Sequence, residues 1–229
     1  MRCLAIGDIH GCLTALTTLA RFAAWRDDDV IVTLGDYVDR GPDSKGVLDW
    51  LIECSTRHQL IPLRGNHEVM MLDARRDPRK QADWLFCGGD ATLHAYAPPK
   101  GSASIADVPA AHWQFLEQTR PWCETDTDIL VHASIDPDLP LDQQSDYDLY
   151  WQKWHEPRRH VSGKRVICGH SAQESGRPLN VGHSVGIDTW VYGTGWLTCL
   201  DVASGRYWQA NESGETREDR LENVPRGDA

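Results

Sequence analysis

The fold of this chain is decided by residues 30–41, VIVTLGDYVDRG, where an apolar run is followed directly by two aspartates and an arginine. The same order occurs at residues 3–11, CLAIGDIHG, and at residues 60–68, LIPLRGNHE. A short apolar run predicts a buried strand, and the glycine after it predicts a turn. Three strands are therefore expected to deliver carboxylate, imidazole and amide side chains to their carboxyl ends.

Helical patterns separate these predicted strands. Apolar residues recur at helical spacing in residues 13–24 and again in residues 44–52. Alternating strands and helices indicate βαβ units with a parallel sheet, which binds ligands at the carboxyl ends of its strands. One site is therefore expected there, with oxygen and nitrogen donors suited to Mn, Fe or Zn, from Asp8, His10, Asp36 and Asn66.

Two later apolar runs also end in histidine. His132 follows residues 129–131, and His170 follows residues 166–169. A turn has no need of an imidazole at the end of a strand, whereas a metal site does. Both histidines are therefore further candidate ligands.

Taken in order, the motifs GDIHG, GDYVDRG and GNHE, then His132-Ala133 and Gly169-His170, resemble the signature of the phosphoprotein phosphatase family of metallophosphoesterases. The resemblance runs from residue 7 to about residue 170, with a looser echo in residues 186–200. It implies an α/β fold, namely a calcineurin-like β-sandwich flanked by helices. It also implies two divalent ions as cofactors, with Mn favoured and Fe, Zn or Ni as alternatives.

The resemblance assigns a role to each matching residue. Asp8 and His10 would hold the first metal, and Asp36 would bridge both. The second metal would be held by Asn66, His132 and His170. Such a pair lowers the pKa of a bridging water and clamps the phosphate for in-line attack.

Other matching residues would act on the phosphate and the leaving group. His67 resembles the proton donor of the family, oriented by Asp39. Arg40 resembles a phosphate clamp, with Asn66 also at the phosphate. Where bacterial relatives often have Trp-x-Arg, this chain has Lys153, so the second cationic clamp is Lys153 or, alternatively, Arg158 or Arg159.

The implied function is hydrolysis of phosphomonoesters, with phosphoserine or phosphothreonine in a protein or peptide as substrate and phosphotyrosine as an extension. One alternative is a diadenosine polyphosphate hydrolase. Such relatives usually lack the Asp-Arg of the second motif and have Asp in place of Glu68. A second alternative is an inactive relative that only binds phosphorylated partners, which would have lost a ligand or His67.

Composition and charge limit which binding partners and which cellular location are expected. The 229 residues carry a formal net charge of −11, which disfavours a nucleic-acid partner. No apolar run approaches the roughly 20 residues that span a bilayer, and no leader precedes the first strand, so neither a membrane nor secretion is expected. Seven cysteines without a Cys-x-x-Cys pair indicate reduced thiols in the cytoplasm. The pattern indicates no oligomeric state.

The sequence pattern divides the chain into three parts. Residues 1–210 are predicted to form the catalytic domain, within which residues 78–125 form a helical excursion that caps the site. Residues 211–229 are charged and nearly without apolar side chains, which predicts a flexible tail. A surface position is predicted for the remaining histidines outside the motifs, His58, His94, His112, His155 and His160.

Overall fold

The three apolar runs of the first third of the chain are parallel neighbours in one sheet. They form β1 (Cys3–Ile6), β2 (Val30–Thr33) and β3 (Gln59–Pro62), paired in that order. The crossovers are α1 (Leu13–Phe22) and α2 (Ser44–Cys54), and the side chain of Asp43 caps α2 by accepting the Gly46 N–H. The predicted βαβ units are therefore present.

The computed structural model describes residues 1–222 and contains two mixed sheets. The first has the order β11-β10-β9-β1-β2-β3, its antiparallel strands being β9 (Leu197–Asp201), β10 (Arg206–Ala210) and β11 (Thr216–Arg220). The second has the order β4-β5-β6-β8-β7, formed by β4 (Trp122–Glu124), β5 (Asp128–Val131), β6 (Arg165–Cys168), β7 (Leu179–Asn180) and β8 (Ser184–Gly186).

The remaining helices follow β3 or connect β5 to β6. They are α3 (Asn66–Arg76), α4 (Gln81–Trp84), α5 (Asp90–Tyr96), α6 (Ala110–Glu117) and α7 (Asp146–Tyr150). A π turn joins α4 to α5 at Leu85–Gly89, and short 3₁₀ turns occur at Pro78–Lys80, Ile105–Asp107 and Leu141–Gln143.

The two sheets pack against each other as a sandwich. Alternate strand residues face opposite sides of a sheet, so Ala5 and Val32 point between the sheets, where they pack with Leu130 and Ile167. On the outer face of the first sheet, Leu4 and Ile6 pack in one cluster with α1 and α2. Residues of α7 cover the outer face of the second sheet. The predicted α/β sandwich flanked by helices is confirmed.

The predicted excursion contains α4, α5 and α6, with a sharp bend where Gly88 adopts a φ of 111°. Its end lies earlier than predicted, because Trp122–Glu124 already pairs with β5 in the second sheet. The assignment of residues 1–210 to one catalytic domain stays a prediction.

The sequence predicted a flexible tail from residue 211 onward. This prediction is wrong up to residue 220. Thr216–Arg220 is the edge strand β11, and Glu218 forms an ion pair with Arg206 on β10. Charged side chains are common on edge strands because they discourage pairing with other chains, and this produced a pattern like that of a disordered tail. Residues 223–229 lie outside the described residues.

Two histidines predicted at the surface are buried. His112 is 2% exposed and His160 is 3% exposed. His112 lies between Asp49 and the Tyr96 hydroxyl, with its Nε2 2.9 Å from Oδ1 of Asp49 and its Nδ1 2.6 Å from Tyr96. His112 lies on the buried face of α6 with Trp113, Phe115 and Leu116, and its polar partners come from α2 and α5.

Candidate metal centre

The loops at the strand ends hold several non-glycine residues in the left-handed region. The φ angles are 46° for His10, 51° for Asp36, 72° for Asp39, 70° for Arg40 and 59° for His170. Such conformations cost about 1–3 kcal/mol each and persist where the surroundings hold them. Their concentration at the strand ends marks the region in which the fold stores strain.

A buried carboxylate ties the second and third loops together. Glu68 accepts hydrogen bonds from the backbone N–H groups of Asp36 and Tyr37 at 2.7 Å each and of Gly65 at 2.9 Å. Burial and the nearby Asp36 raise the pKa of Glu68 to about 7. No side chain fits at residue 65, because a Cβ there would lie 2.1 Å from Oδ1 of Asp36. Glu68 therefore fixes the position of Asp36.

Asp36 lies at the centre of the cluster. Its Oδ2 is 3.3 Å from Nε2 of His10 and 3.9 Å from Nε2 of His67, whereas its Oδ1 is 3.5 Å from Nε2 of His132. Burial acts to raise the pKa of Asp36, but the surrounding imidazoles outweigh it and leave the pKa below its ordinary value. The two oxygens of one carboxylate thus face different histidines.

Backbone carbonyls orient three of the imidazoles. Nδ1 of His10 donates to the Val38 carbonyl and Nδ1 of His132 donates to the Leu34 carbonyl, both at 2.9 Å. His170 donates from Nε2 to the Trp151 carbonyl at 3.1 Å. Each ring therefore keeps its other nitrogen as an acceptor that can bind a metal.

Burial also keeps these imidazoles neutral, which is the form that binds metals. It lowers the pKa of His10 well below its ordinary value and the pKa of His132 to about 4. It lowers the pKa of His170 as well. Asn66 completes this side of the site, with its Oδ1 2.9 Å from Nε2 of His132.

Two more buried carboxylates lie beside Asp36. Asp8 is 2% exposed and Asp188 is 3% exposed. Burial, then Asp188 and Asp36, raise the pKa of Asp8 well above its ordinary value. Burial and Asp36 likewise raise the pKa of Asp188 to about 6. Three carboxylates crowded away from water are what a bound cation would stabilise.

Sequence reasoning did not select Asp188 as a site residue. The signal was present, since Asp188 follows the strand Ser184–Gly186 as Asp8 and Asp36 follow theirs. It was weaker because no histidine, asparagine or arginine comes next. The structure brings together the six side chains that were predicted as ligands, namely Asp8, His10, Asp36, Asn66, His132 and His170.

The donor set fits two metal ions. Within the described residues, two groups place all their ligand atoms within 4.8 Å of one another: His10, Asp36 and His67, and Asp36, His132 and His170. Asp36 belongs to both groups, and the first group contains His67, the predicted proton donor, in place of the predicted ligand Asp8. Neutral imidazoles with carboxylate and amide oxygens suit Mn, Fe or Zn.

His67 is held by Asp39. The distance between Nδ1 of His67 and Oδ2 of Asp39 is 2.7 Å, and both side chains are buried. Nε2 of His67 is buried and has no hydrogen-bond partner among the described residues. Burial acts to lower the pKa of His67, but Asp36 and Asp39 outweigh it and raise the pKa. The ring thus presents one unpaired nitrogen to the centre.

The family follows from comparison with known proteins. Residues 1–193 match the sequence pattern of the calcineurin-like phosphoesterase family. The chain belongs to this family. It is a phosphoesterase, a hydrolase of a family whose chemistry uses divalent metals. The resemblance to metallophosphoesterases seen in the sequence motifs is therefore confirmed.

The relatives of this phosphoesterase differ in substrate. It is 33% identical over 156 residues to serine/threonine-protein phosphatase 1 of Salmonella typhimurium, covering 67% of this chain and 68% of that protein. It is 36% identical over 94 residues to a symmetrical bis(5'-nucleosyl)-tetraphosphatase of Photorhabdus laumondii, covering 38% of this chain and 33% of that one. A solved structure described as a candidate diadenosine tetraphosphatase superposes with a TM-score of 0.66 at 20% identity, covering 97% of this chain and 94% of the other.

The centre of this phosphoesterase opens into a cleft of about 440 Å³. Arg40 and Lys153 line it together with Asp36 and His170. The guanidinium of Arg40 lies 4.7 Å from the centre of the Tyr192 ring, and its Nη1 is 3.0 Å from Nε2 of His10. The cleft therefore combines a stacked guanidinium with a lysine at its rim.

Arg158 occupies a different place. It pairs with Asp138 at 2.6 Å, with both side chains exposed, and it lies beside a neighbouring pocket of about 270 Å³. This favours Lys153 over Arg158 as the second cationic clamp.

No helix among residues 1–222 of this phosphoesterase is long and apolar enough to cross a bilayer.

Proposed function

We propose that this phosphoesterase hydrolyses phosphomonoesters, with phosphoserine or phosphothreonine in proteins as substrate, and that the reaction depends on two divalent ions. The observation that carries the proposal is the buried Asp39–His67 pair, whose free Nε2 lies 3.9 Å from Asp36 at the centre. The cysteine pattern supports a cytoplasmic location.

Two sets of residues would hold the ions, with Mn as the favoured metal. Asp8, His10 and Asp36 form the first set, and Asp36, Asn66, His132 and His170 form the second. When bound, such a pair supplies a nucleophile from water at neutral pH and neutralises phosphoryl oxygens.

The rest of the chemistry belongs to the side chains of this chain. Arg40 binds the phosphate, because its planar fork matches two phosphoryl oxygens. Lys153 adds a second positive charge at the same cleft. His67 gives the proton on Nε2 to the leaving oxygen, while Asp39 accepts the hydrogen bond from Nδ1 and keeps the ring in place.

The proton donor favours monoesters over anhydrides. The alkoxide of serine leaves poorly unless it is protonated, so an oriented His67 accelerates its departure. A phosphoanhydride leaves as a stabilised phosphate and needs the proton less. Because the chain retains Asp39, Arg40 and Glu68, it resembles the phosphatases at the positions where the dinucleotide hydrolases usually differ.

Hydrolysis of diadenosine tetraphosphate is the second candidate, since a tetraphosphatase is among the curated relatives. The test reconstitutes metal-free protein with Mn, Fe, Zn or Ni and compares a phosphoserine peptide with diadenosine tetraphosphate at one pH. We expect a higher kcat/KM for the peptide. The reverse order would assign the chain to the dinucleotide hydrolases, and no turnover of either substrate would favour a binding protein.

The variant Asp39→Asn sharpens this test. It should lower kcat/KM for the phosphopeptide more than for the dinucleotide, because only the first reaction depends on an oriented acid. Asp128→Asn is the matched control, since Asp128 is equally buried but pairs with Arg165 away from the centre.

A further inference from the structure

The turn that carries Asp39 and Arg40 is held from outside. Both residues lie in the left-handed region, with φ angles of 72° and 70°. The N–H of Asp39 donates to Oγ1 of Thr92 at 2.8 Å, with Oγ of Ser44 on α2 as a second acceptor at 3.1 Å, and the N–H of Arg40 donates to the carbonyl of Gly88 at 3.1 Å. A turn of two strained residues thus depends on contacts from a segment about 50 positions later in the chain.

The carboxylate of Asp39 is held by the same segment. Nε1 of Trp84 lies 3.0 Å from Oδ2 and 3.1 Å from Oδ1 of Asp39, and Oγ1 of Thr92 donates to Oδ1 at 2.7 Å. Trp84 is 1% exposed and Thr92 is fully buried. The remaining contact of Oδ2 is the imidazole of His67. Asp39 is therefore fixed from one side by the excursion and holds His67 on the other.

The hydroxyl of Thr92 has a single proton, and its direction follows from its neighbours. Because that proton goes to Asp39, the hydroxyl of Ser44, 3.0 Å away, must donate to Thr92. Thr92 thereby serves Asp39 twice, as acceptor for its N–H and as donor to its carboxylate. Valine has the same shape and could do neither.

The excursion is itself tied to α2. Tyr96, one turn beyond Thr92 on α5, contacts Nδ1 of His112, and Nε2 of His112 contacts Asp49 on α2. A helix tied at both Thr92 and Tyr96 cannot rotate without breaking one of these contacts. The contacts to Asp39 thus come from a firmly placed element.

We infer that Trp84 and Thr92 are positioning residues, and that residues 81–96 hold the Asp39–Arg40 turn so that His67 faces the leaving oxygen and Arg40 faces the phosphate. The inference gives the excursion a positioning role, which the prediction of a cap over the site did not contain. In its proton-transfer part it rests on the proposed function.

The first test observes the His67–Asp39 hydrogen bond directly, without a substrate. The full chain, labelled with ¹⁵N-histidine and loaded with Zn²⁺, should show a downfield imidazole N–H signal that disappears in His67→Asn. Thr92→Val should shift or broaden this signal, and Thr92→Ser should restore it. An unchanged signal in a folded Thr92→Val protein would overturn the inference.

Controls separate positioning from general packing. Thr119→Val removes another buried hydroxyl, which accepts from Arg64 and donates to the Leu116 carbonyl away from Asp39. Trp113→Phe is the control for Trp84→Phe, because Trp113 is also buried. Both controls should leave the His67 signal unchanged even where they lower the melting temperature. A control that shifts the signal as much as Thr92→Val would also contradict a positioning role.

The second test measures turnover. Thr92→Val should lower kcat for an alkyl phosphate about tenfold or more, the range typical of residues that orient a functional side chain, and should lower kcat for a nitrophenyl phosphate less. Thr92→Ser should recover most of the loss. Equal losses on both substrates at full metal content would overturn the inference.

The two proposals fail differently. If the wild-type protein cleaves diadenosine tetraphosphate but no monoester, the proposed function is wrong, and the His67 signal still decides whether Thr92 positions Asp39. If the protein is a monoesterase and Thr92→Val leaves both the signal and kcat unchanged, only the positioning role is wrong.

Discussion

The proposed metal floor and the proposed phosphate-binding rim of the cleft are built differently. The floor consists of Asp8, His10, Asp36, Asn66 and His132, of which none is more than 5% exposed. The rim consists of Arg40, Lys153 and Tyr192, which reach into an open cleft. Floor residues are fixed by backbone contacts, whereas Lys153 is an exposed side chain in a segment between α7 and β6.

The difference follows from what each region does. A metal ligand must present one atom in one direction, so its ring or carboxylate is buried and bonded on the other side. Lys153 at the rim supplies charge across an open cleft, where water screens it and its exact position matters less. Substitutions in the floor should therefore remove metal and activity together, whereas substitutions at the rim should change activity with the metal retained.

The largest effect is expected for Asp36→Asn. Because Asp36 belongs to both ligand groups, the variant should lose both ions and activity together, by more than the roughly 10²–10⁴-fold worth of a general acid. Elemental analysis and turnover of the purified variant measure this. Retention of two ions would show that Asp36 is not shared, and Asp128→Asn should keep both metal and activity.

His67→Asn should give the next largest effect. Metal content should stay, and turnover of alkyl phosphates should fall about 10²–10⁴-fold because the leaving oxygen loses its proton donor. Nitrophenyl phosphate should lose less, since its leaving group needs little help. Loss of a metal ion instead would assign His67 to the floor as a ligand.

Arg40→Ala moves the comparison to the rim. Losing a charged donor to the phosphate should cost about 10²–10³-fold in kcat/KM, with both metals retained. Arg40→Lys should recover only part, because a point charge does not reproduce the planar fork. Complete recovery by lysine would contradict a bidentate contact.

Lys153→Arg should have the smallest effect, a roughly threefold rise in kcat/KM, because arginine at this position can grip two phosphate oxygens. Arg158→Ala is its control and should leave activity unchanged, since Arg158 pairs with Asp138. A loss in Arg158→Ala larger than the change in Lys153→Arg would exchange the two roles.

Much of the fold could be predicted from the sequence because its signals are local. The apolar runs and the helical spacing of apolar residues placed the first three strands and two helices close to their observed bounds. The edge strand Thr216–Arg220 could not be predicted, because its pairing with β10 is a contact between segments and its exposed face is charged.

The candidate ligands were predictable for a similar reason: each follows an apolar strand within a short motif. The surroundings that tune them were not. Thr92 and Trp84 hold Asp39 from helices far along the chain, and Asp188 joins the floor from the end of β8. Burial and partners of this kind depend on how the sheets and the excursion pack, which no local pattern contains.

The proposed reaction depends on two metal ions held around one shared carboxylate. Its most direct test is the number of ions per chain at full activity, measured by elemental analysis while metal-free protein is titrated with Mn²⁺. We predict that activity saturates at two ions per chain. Full activity with one ion per chain would contradict the shared role of Asp36.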